Sequence, residues 1–469
     1  MIIENEECSL SKKQIKKKTL ISLIIGLSLF VLLFSIPFIM DTTGGISDPH
    51  YTFGESFGVS FTCFGLGLTA IVFIPVITWL SAKENKNVYL WGCSLFSFFF
   101  IILILNSGLA VTFTIWQVQQ ERRNLGEIVI LNNRDFKSKY NFSGEGSETN
   151  PYLIENLVIN TSKTYGIFIE NTNKFFTIRN CTFQAKNSAI YVKNTADRTC
   201  KIVNNHLLEG LLNVYNSPSL IIENNTVQNK INLSSCHFAS VIDNKCGYLE
   251  IQFSDQIIVD DNSVSSGFLL GTSRNSKISN NLFYNDSFSG MNLHNSKSLL
   301  IVNNTFSNNH YGLVIGYSEL VTVLGNNCSS NNNTGMIIQY CRNVTLSNNN
   351  IHKNLKGIYL NENQFLLITR NSIKNNTEYG IISEFAGPLN RIFQNNFYYN
   401  NLAGLATGFS QGYENTTYVP LYYYSVILYD NNTNEGNFWS DLIWNEGVTY
   451  EIDGGNNTDP YPLENPVSI

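Results

Sequence analysis

Short apolar runs return at a nearly fixed interval through most of the chain, each introduced by a small residue. TYGIFIEN (164–171), NSAIYVKN (187–194), SGMNLHNS (289–296), YGLVIGYS (311–318), TGMIIQYC (334–341), KGIYLNEN (356–363), YGIISEFA (379–386) and AGLATGFS (403–410) share this form. The small residues are Gly166, Ala189, Gly290, Gly312, Gly335, Gly357, Gly380 and Gly404, and the last five steps between them are 22, 23, 22, 23 and 24 residues. A second block interleaves with the first: apolar residues followed by an Asn pair, as in KIVNNHL (201–207), IIENNTV (221–227), KISNNLF (277–283) and LIVNNTF (300–306). Its Asn-type position reads Asn156, Asn180, Asn204, Asn224, Asn244, Asp261, Asn280, Asn303, Asn326, Asn348, Arg370 and Asn395, which predicts about twelve turns.

Both blocks alternate apolar and polar over four to six residues, the period of a strand. No window keeps a period of 3.6, so a helical repeat is excluded. Strands at constant spacing with no helices between them imply a solenoid of parallel strands, each turn contacting only its neighbours. At about 4.8 Å per turn, twelve turns make a rod roughly 55–60 Å long. The residue after each small residue points inward: Ile167, Ile190, Met291, Leu313, Met336, Ile358, Ile381 and Leu405. Six residues after the Gly the chain is small again (Thr172, Thr195, Ser296, Ser318, Cys341, Ala386, Ser410). The Asn pairs stack at a turn, where Asn tolerates left-handed backbone and amides can bond along the column.

The N-terminal quarter has a different pattern. Residues 20–40, 56–82 and 87–120 carry no charge, and each stretch exceeds the roughly 20 residues that cross a bilayer as a helix. Spans are predicted at about 19–40, 57–81 and 88–116. Lys12, Lys13, Lys16, Lys17 and Lys18 precede the first span, and Lys83 and Lys86 lie between the second and third. The positive-inside rule then puts the N-terminus in the cytoplasm and everything after about residue 120 outside. With no charge within a span, the helices read as an anchor rather than a transport path. The expected division is a membrane anchor over 1–123, a parallel β-helix with its N-terminal cap over 124–412, and a C-terminal cap segment over 413–469.

Composition sharpens this picture. Charged residues are 14% of the 469-residue chain, and the net charge is −6. Charges within residues 1–120 cancel, so the exterior part carries the whole excess. An acidic exterior without a basic patch argues against a nucleic-acid partner. Six cysteines follow the spans: Cys181, Cys200, Cys236, Cys246, Cys328 and Cys341. Those that share a column, Cys236 with Cys341 and Cys246 with Cys328, lie five and four turns apart. A disulfide needs Cα atoms within about 7 Å, so all six are expected to be unpaired core or turn residues. Fourteen N-glycosylation sequons, from Asn141 to Asn456, all follow the third span.

The segment SGEGSETNPYLIENLVI (143–159) resembles the opening of archaeal β-helix proteins grouped as NosD-like, or CASH-type (carbohydrate-binding and sugar-hydrolase), repeat proteins. GNFWSD (436–441) followed by DPYPL (459–463) is similar to their closing segment. The resemblance covers about 130–463 and implies a right-handed, three-sided, all-β parallel β-helix with capped ends. The group includes sugar-acting enzymes, surface proteins, and a copper-related maturation factor, so fold does not settle function.

Three candidate chemistries follow. The outward residue before each Asn pair reads Arg179, Val203, Glu223, Asp243, Asp260 and Ser279, which predicts three acids on successive turns. Like charges about 5 Å apart repel, and calcium, the candidate cofactor, would relieve them. Resemblance to β-helix pectate and alginate lyases implies that such acids could serve a calcium-dependent polysaccharide lyase or epimerase, with Lys201, Lys245 or Lys277 as base. The Asn-Thr-Asp, Gly-His-Gly and Arg-Ile-Lys motifs of galacturonan hydrolases are absent, and no catalytic residue is assigned. Second, outward Phe168, Tyr191, Tyr215 and Tyr359 among amides and acids suit sugar rings. Third, the copper-related role of NosD-like proteins would need a Met, His or Cys cluster. Met291 and Met336 fall in the core column, His294 and His310 lack a third ligand, and His206, His237 and His352 are scattered, so no copper site is expected. The sequence therefore points to a membrane-anchored, extracytoplasmic β-helix that binds or scaffolds polysaccharide or surface-layer glycan. A lyase or epimerase and a NosD-like maturation factor are the alternatives.

Overall fold

The computed structural model describes residues 126–384, 387–400, 409–412, 426–443, 445–451 and 458–469. The three expected spans lie outside the described residues. Among the described residues, no helix is long and apolar enough to cross a membrane.

The described chain winds into an all-β, right-handed parallel β-helix. Each turn lays its strands on three faces. The first face carries Gly126–Ile130, Tyr165–Thr172, Phe268–Gly271, Ser289–His294 and Tyr311–Gly316, and continues to Phe409–Gly412. The second runs from Tyr152–Glu155 to Arg391–Phe393, and its twelve strands are joined only by parallel pairings. The third runs from Val158–Thr161 to Asn396–Tyr398 and ends at Phe438–Trp439. Twelve strands on the second face make eleven steps, so the coil has about eleven turns where the Asn positions suggested twelve.

The inward column matches expectation: Ile167, Ile190, Met291, Leu313, Met336, Ile358 and Ile381 are all fully buried. The last repeat needs correction. Ile381 pairs with Phe409, so the final first-face strand starts four residues later than Gly404 and Leu405 suggested. The sequence offers two glycines there, Gly404 and Gly408, and the pattern cannot choose between them.

The Asn pair divides into two roles. Its first member, at the corner between the second and third faces, takes left-handed backbone at Asn180, Asn204, Asn224, Asn280, Asn303 and Asn348, as do Asp243, Asp261, Gly325 and Arg370 in the same column. Its second member is buried. Asn205, Asn225, Asn244, Asn262, Asn281, Asn304, Asn326, Asn349, Asn371, Asn395 and Asn437 form one continuous ladder. From Asn225 onward each Oδ1 accepts the backbone N–H and the Nδ2 of the Asn one turn earlier, as Asn225 does from Asn205 at 3.0 Å each, while Asn205 Oδ1 accepts the backbone N–H of Cys181. Nδ2 also donates to backbone carbonyls, for Asn205 those of Ile178 and Val203. Such full satisfaction is what makes a buried amide tolerable. Asn244, Asn326 and Asn395 thus belong to the buried column, one residue beyond the exposed position the sequence pattern gave them.

Both ends are closed by aromatic side chains. Phe136, from the short helix Asp135–Ser138, is fully buried and stacks on Tyr152 at 4.7 Å. At the other end Trp439 lies between Phe397 at 4.3 Å and Tyr450 at 4.1 Å. The two closing motifs meet here. Asp459 accepts the backbone N–H of Asn437 at 2.7 Å and the indole N–H of Trp439 at 3.0 Å. A Cβ on Gly436 would come within 1.9 Å of the Asp459 carboxylate, so only glycine fits.

Candidate functional site

Two outward columns run along the first face. One reads Phe168, Tyr191, Asn213, Asn232, Glu250 and Leu269 on successive turns. The other, two residues on, holds Glu170, Lys193, Tyr215, Ser234 and Gln252. Outward positions of a strand are normally solvated, yet Phe168 is only 8% and Asn213 only 7% exposed. Their neighbours cover them.

The aromatic part is a stack. Phe168 and Tyr191 lie 5.2 Å apart with planes 9° from parallel. Tyr191 and Tyr215 are 5.4 Å apart, and Tyr165 packs 4.8 Å from Tyr191. The flat faces of Phe168 and Tyr191 are therefore turned to each other, and the rings present edges and hydroxyls. Burial pushes the Tyr191 hydroxyl up to about 12, helped by the nearby Tyr165, Tyr215 and Glu170, so it remains a proton donor at neutral pH.

A polar network continues the stack. Asn213 Nδ2 donates to Ser188 Oγ at 2.7 Å. Asn232 Nδ2 donates to Asn213 Oδ1 at 3.2 Å and to the Tyr215 hydroxyl at 2.8 Å. Glu250 accepts from both Lys230 and Gln252, and Lys230 lies 5.3 Å over the Tyr248 ring. Beside these residues, at the corner leading into the first face, an open cleft of about 460 Å³ is lined by Asn160, Thr161, Gln184, Lys186, Glu209 and Asn229 among others.

Of the four aromatic residues singled out by sequence, the structure brings Phe168, Tyr191 and Tyr215 together. Tyr359 shares the column of Phe168 and Tyr191 but lies eight pairings beyond Tyr191, and its hydroxyl bonds Glu384 at 2.6 Å. The sequence reading missed Tyr165, Ser188, Asn213, Lys230, Asn232, Glu250 and Gln252. For Asn213, Lys230, Asn232, Glu250 and Gln252 the signal was the alternation around buried Leu212, Leu233 and Ile251, hidden because these turns lack the introductory glycine and because the register shifts between Val227 and Lys230.

The acid column is corrected. The strand column reads Val203, Glu223, Ile242, Asp260 and Ser279. Ile242 separates Glu223 from Asp260 by two turns, about 10 Å, and Asp243 sits one residue later, in the left-handed turn. The misreading arose because the Asn-pair pattern is Asp243–Asn244 on this turn. Asp260 accepts from Ser279 Oγ and from Asn280 Nδ2. Asp261 is raised above the usual carboxylate range, first by desolvation and then by Asp260 and Asp243. Lys201 and Lys277 stand on the second face and Lys245 on the third.

All six cysteines are free and buried. Burial pushes Cys246 up to about 12 and Cys236 and Cys341 up to about 11. Met291 and Met336 are fully buried with Leu313 between them. Among the described residues, no three His, Cys, Asp or Glu side chains converge. These residues do not fit a copper centre, which needs clustered thioether, thiolate or imidazole donors.

The strand topology defines a parallel β-helix protein. Residues 239–443, a little under half of the chain, match the family described as periplasmic copper-binding protein (NosD), a similarity in line with the resemblance read from the sequence. No curated protein matches the chain. Among solved structures, the mannuronan C-5 epimerase AlgE6 A-module of Azotobacter vinelandii is 13% identical, with TM-score 0.40, over 51% of this chain and 81% of that one. The periplasmic alginate epimerase AlgG is 14% identical, with TM-score 0.32, over 58% and 82%. PfbA, a surface adhesin of Streptococcus pneumoniae, is 13% identical, with TM-score 0.34, over 56% and 84%.

Proposed function

We propose that this protein is a membrane-anchored, extracytoplasmic β-helix that binds glycan on the N-terminal half of its first face. The observation that carries the reading is the network from Phe168 through Tyr191, Tyr215, Asn213 and Asn232 to Glu250 and Gln252. Tyrosine hydroxyls and amides both donate and accept, as sugar hydroxyls require. Side chains already fixed by one another lose little freedom on binding. The uncharged N-terminal stretches support the anchor, and the lysines before the first of them support an exterior β-helix.

The lyase or epimerase reading has less support, because Glu223, Asp243 and Asp260 do not share one column. The test is retardation of the detergent-solubilised full chain in native gels containing soluble polysaccharides, both charged and uncharged. The expected result is retardation by at least one, lost in a Tyr191→Ala/Asn232→Ala variant whose melting temperature stays close to the parent's. Equal migration of parent and variant in every gel would overturn the reading.

A further inference from the structure

The charges around this face are matched. Lys163 Nζ lies 3.1 Å from Glu127, Lys230 pairs with Glu250, and Glu170 faces Lys193 across adjacent strands. Lys186 and Glu209 line the same cleft. Four lysines and four glutamates thus share this region, two of each joined as ion pairs, and the chain as a whole carries −6. Lys163 and Lys230 are already bound to carboxylates of the protein itself.

A polyuronide brings one carboxylate per sugar. Each would need a cation or a set of donors to replace its water, and a row of sugars would need a row of them. This face offers paired charges instead, and the acidic field of the protein repels polyanions. Beside Glu170 and Lys193, which face each other in register, the face presents tyrosine hydroxyls, amides and a serine hydroxyl, which complement neutral hydroxyls. We infer that the ligand of the first face is an uncharged glycan, selected against polyuronides by the internal pairing of Lys163 with Glu127 and Lys230 with Glu250. This inference rests on the glycan-binding reading above.

The test compares the full chain in gels containing neutral mannan, galactan or β-glucan with gels containing alginate or polygalacturonate. At least one neutral polymer is expected to bind at least about tenfold more tightly than either polyuronide, with little dependence on salt. A Glu127→Gln/Glu250→Gln variant, which frees Lys163 and Lys230, is expected to gain salt-sensitive polyuronide binding. Binding by the parent to polyuronide alone would overturn the inference while leaving glycan binding intact. Binding to no polymer would overturn both. Neutral binding by the parent without any gain by the double variant would overturn the role given to the two ion pairs.

Discussion

Asp459 and Asn437 are joined twice: the carboxylate accepts the Asn437 backbone N–H at 2.7 Å and faces its Nδ2 at 3.5 Å. Every Asn in the ladder points its Nδ2 toward the next turn, so the donor ends add up at the last one. A buried carboxylate there plays the part that an acidic side chain plays at a helix N-terminus. Asp459→Ala would leave the donors of Asn437, Trp439 and Tyr461 without their acceptor. The expected cost is about 3–4 kcal/mol, read as loss of hydrogen-exchange protection around Phe438–Trp439.

Within the ladder, Asn304→Ala removes the acceptor of both Asn281 donors. A loss of about 2–3 kcal/mol is expected. Exposed Asn303, the other half of the pair, has a left-handed backbone, and Asn303→Gly should change stability by less than about 0.5 kcal/mol. Thermal melting of the two variants distinguishes these roles.

The two ends should answer acid in opposite ways. Glu127 is held below its ordinary value by hydrogen bonds from Thr161 and Lys163, so its contribution is present above pH 4.5 and fades as pH falls through the lower folded value. Asp459 is raised by burial, against its hydrogen bonds. The folded state therefore holds that proton more tightly than the unfolded chain, and the Asp459 contribution is greatest below pH 3.8 and falls as pH rises through the folded value. Hydrogen exchange at pH 3 against pH 6 should show protection lost at Gly126–Ile130 but retained at Phe438–Trp439. Glu127→Gln should remove the first effect.

The six buried thiols should react slowly. Thiolate is the reactive form, and burial raises all six. Maleimide treatment followed by peptide mass spectrometry should find these positions unlabelled in native protein and labelled after denaturation.

Much of this was legible in the sequence. A repeat of apolar and Asn positions specifies a parallel solenoid because each column has one environment, inward or outward, on every turn. What the repeat could not give was phase where it was irregular. Asp243–Asn244 and Gly325–Asn326 each offer a single Asn to a two-position pattern, and the acid column was misread for that reason. The network of Asn213, Asn232 and Glu250 was hidden by the shift between Val227 and Lys230. Two residues in one column were readable as neighbours, but not the bonds between columns.

The direction of the Asn ladder also bears on how the protein is made. The acceptor that terminates it, Asp459, is synthesised after every turn it completes. A chain still emerging can stack turn upon turn as each arrives, yet its growing end always shows an amide seeking a partner. Completion of the rod is thus marked by one carboxylate, and a chain interrupted before it would carry an open column that a protease or chaperone could recognise.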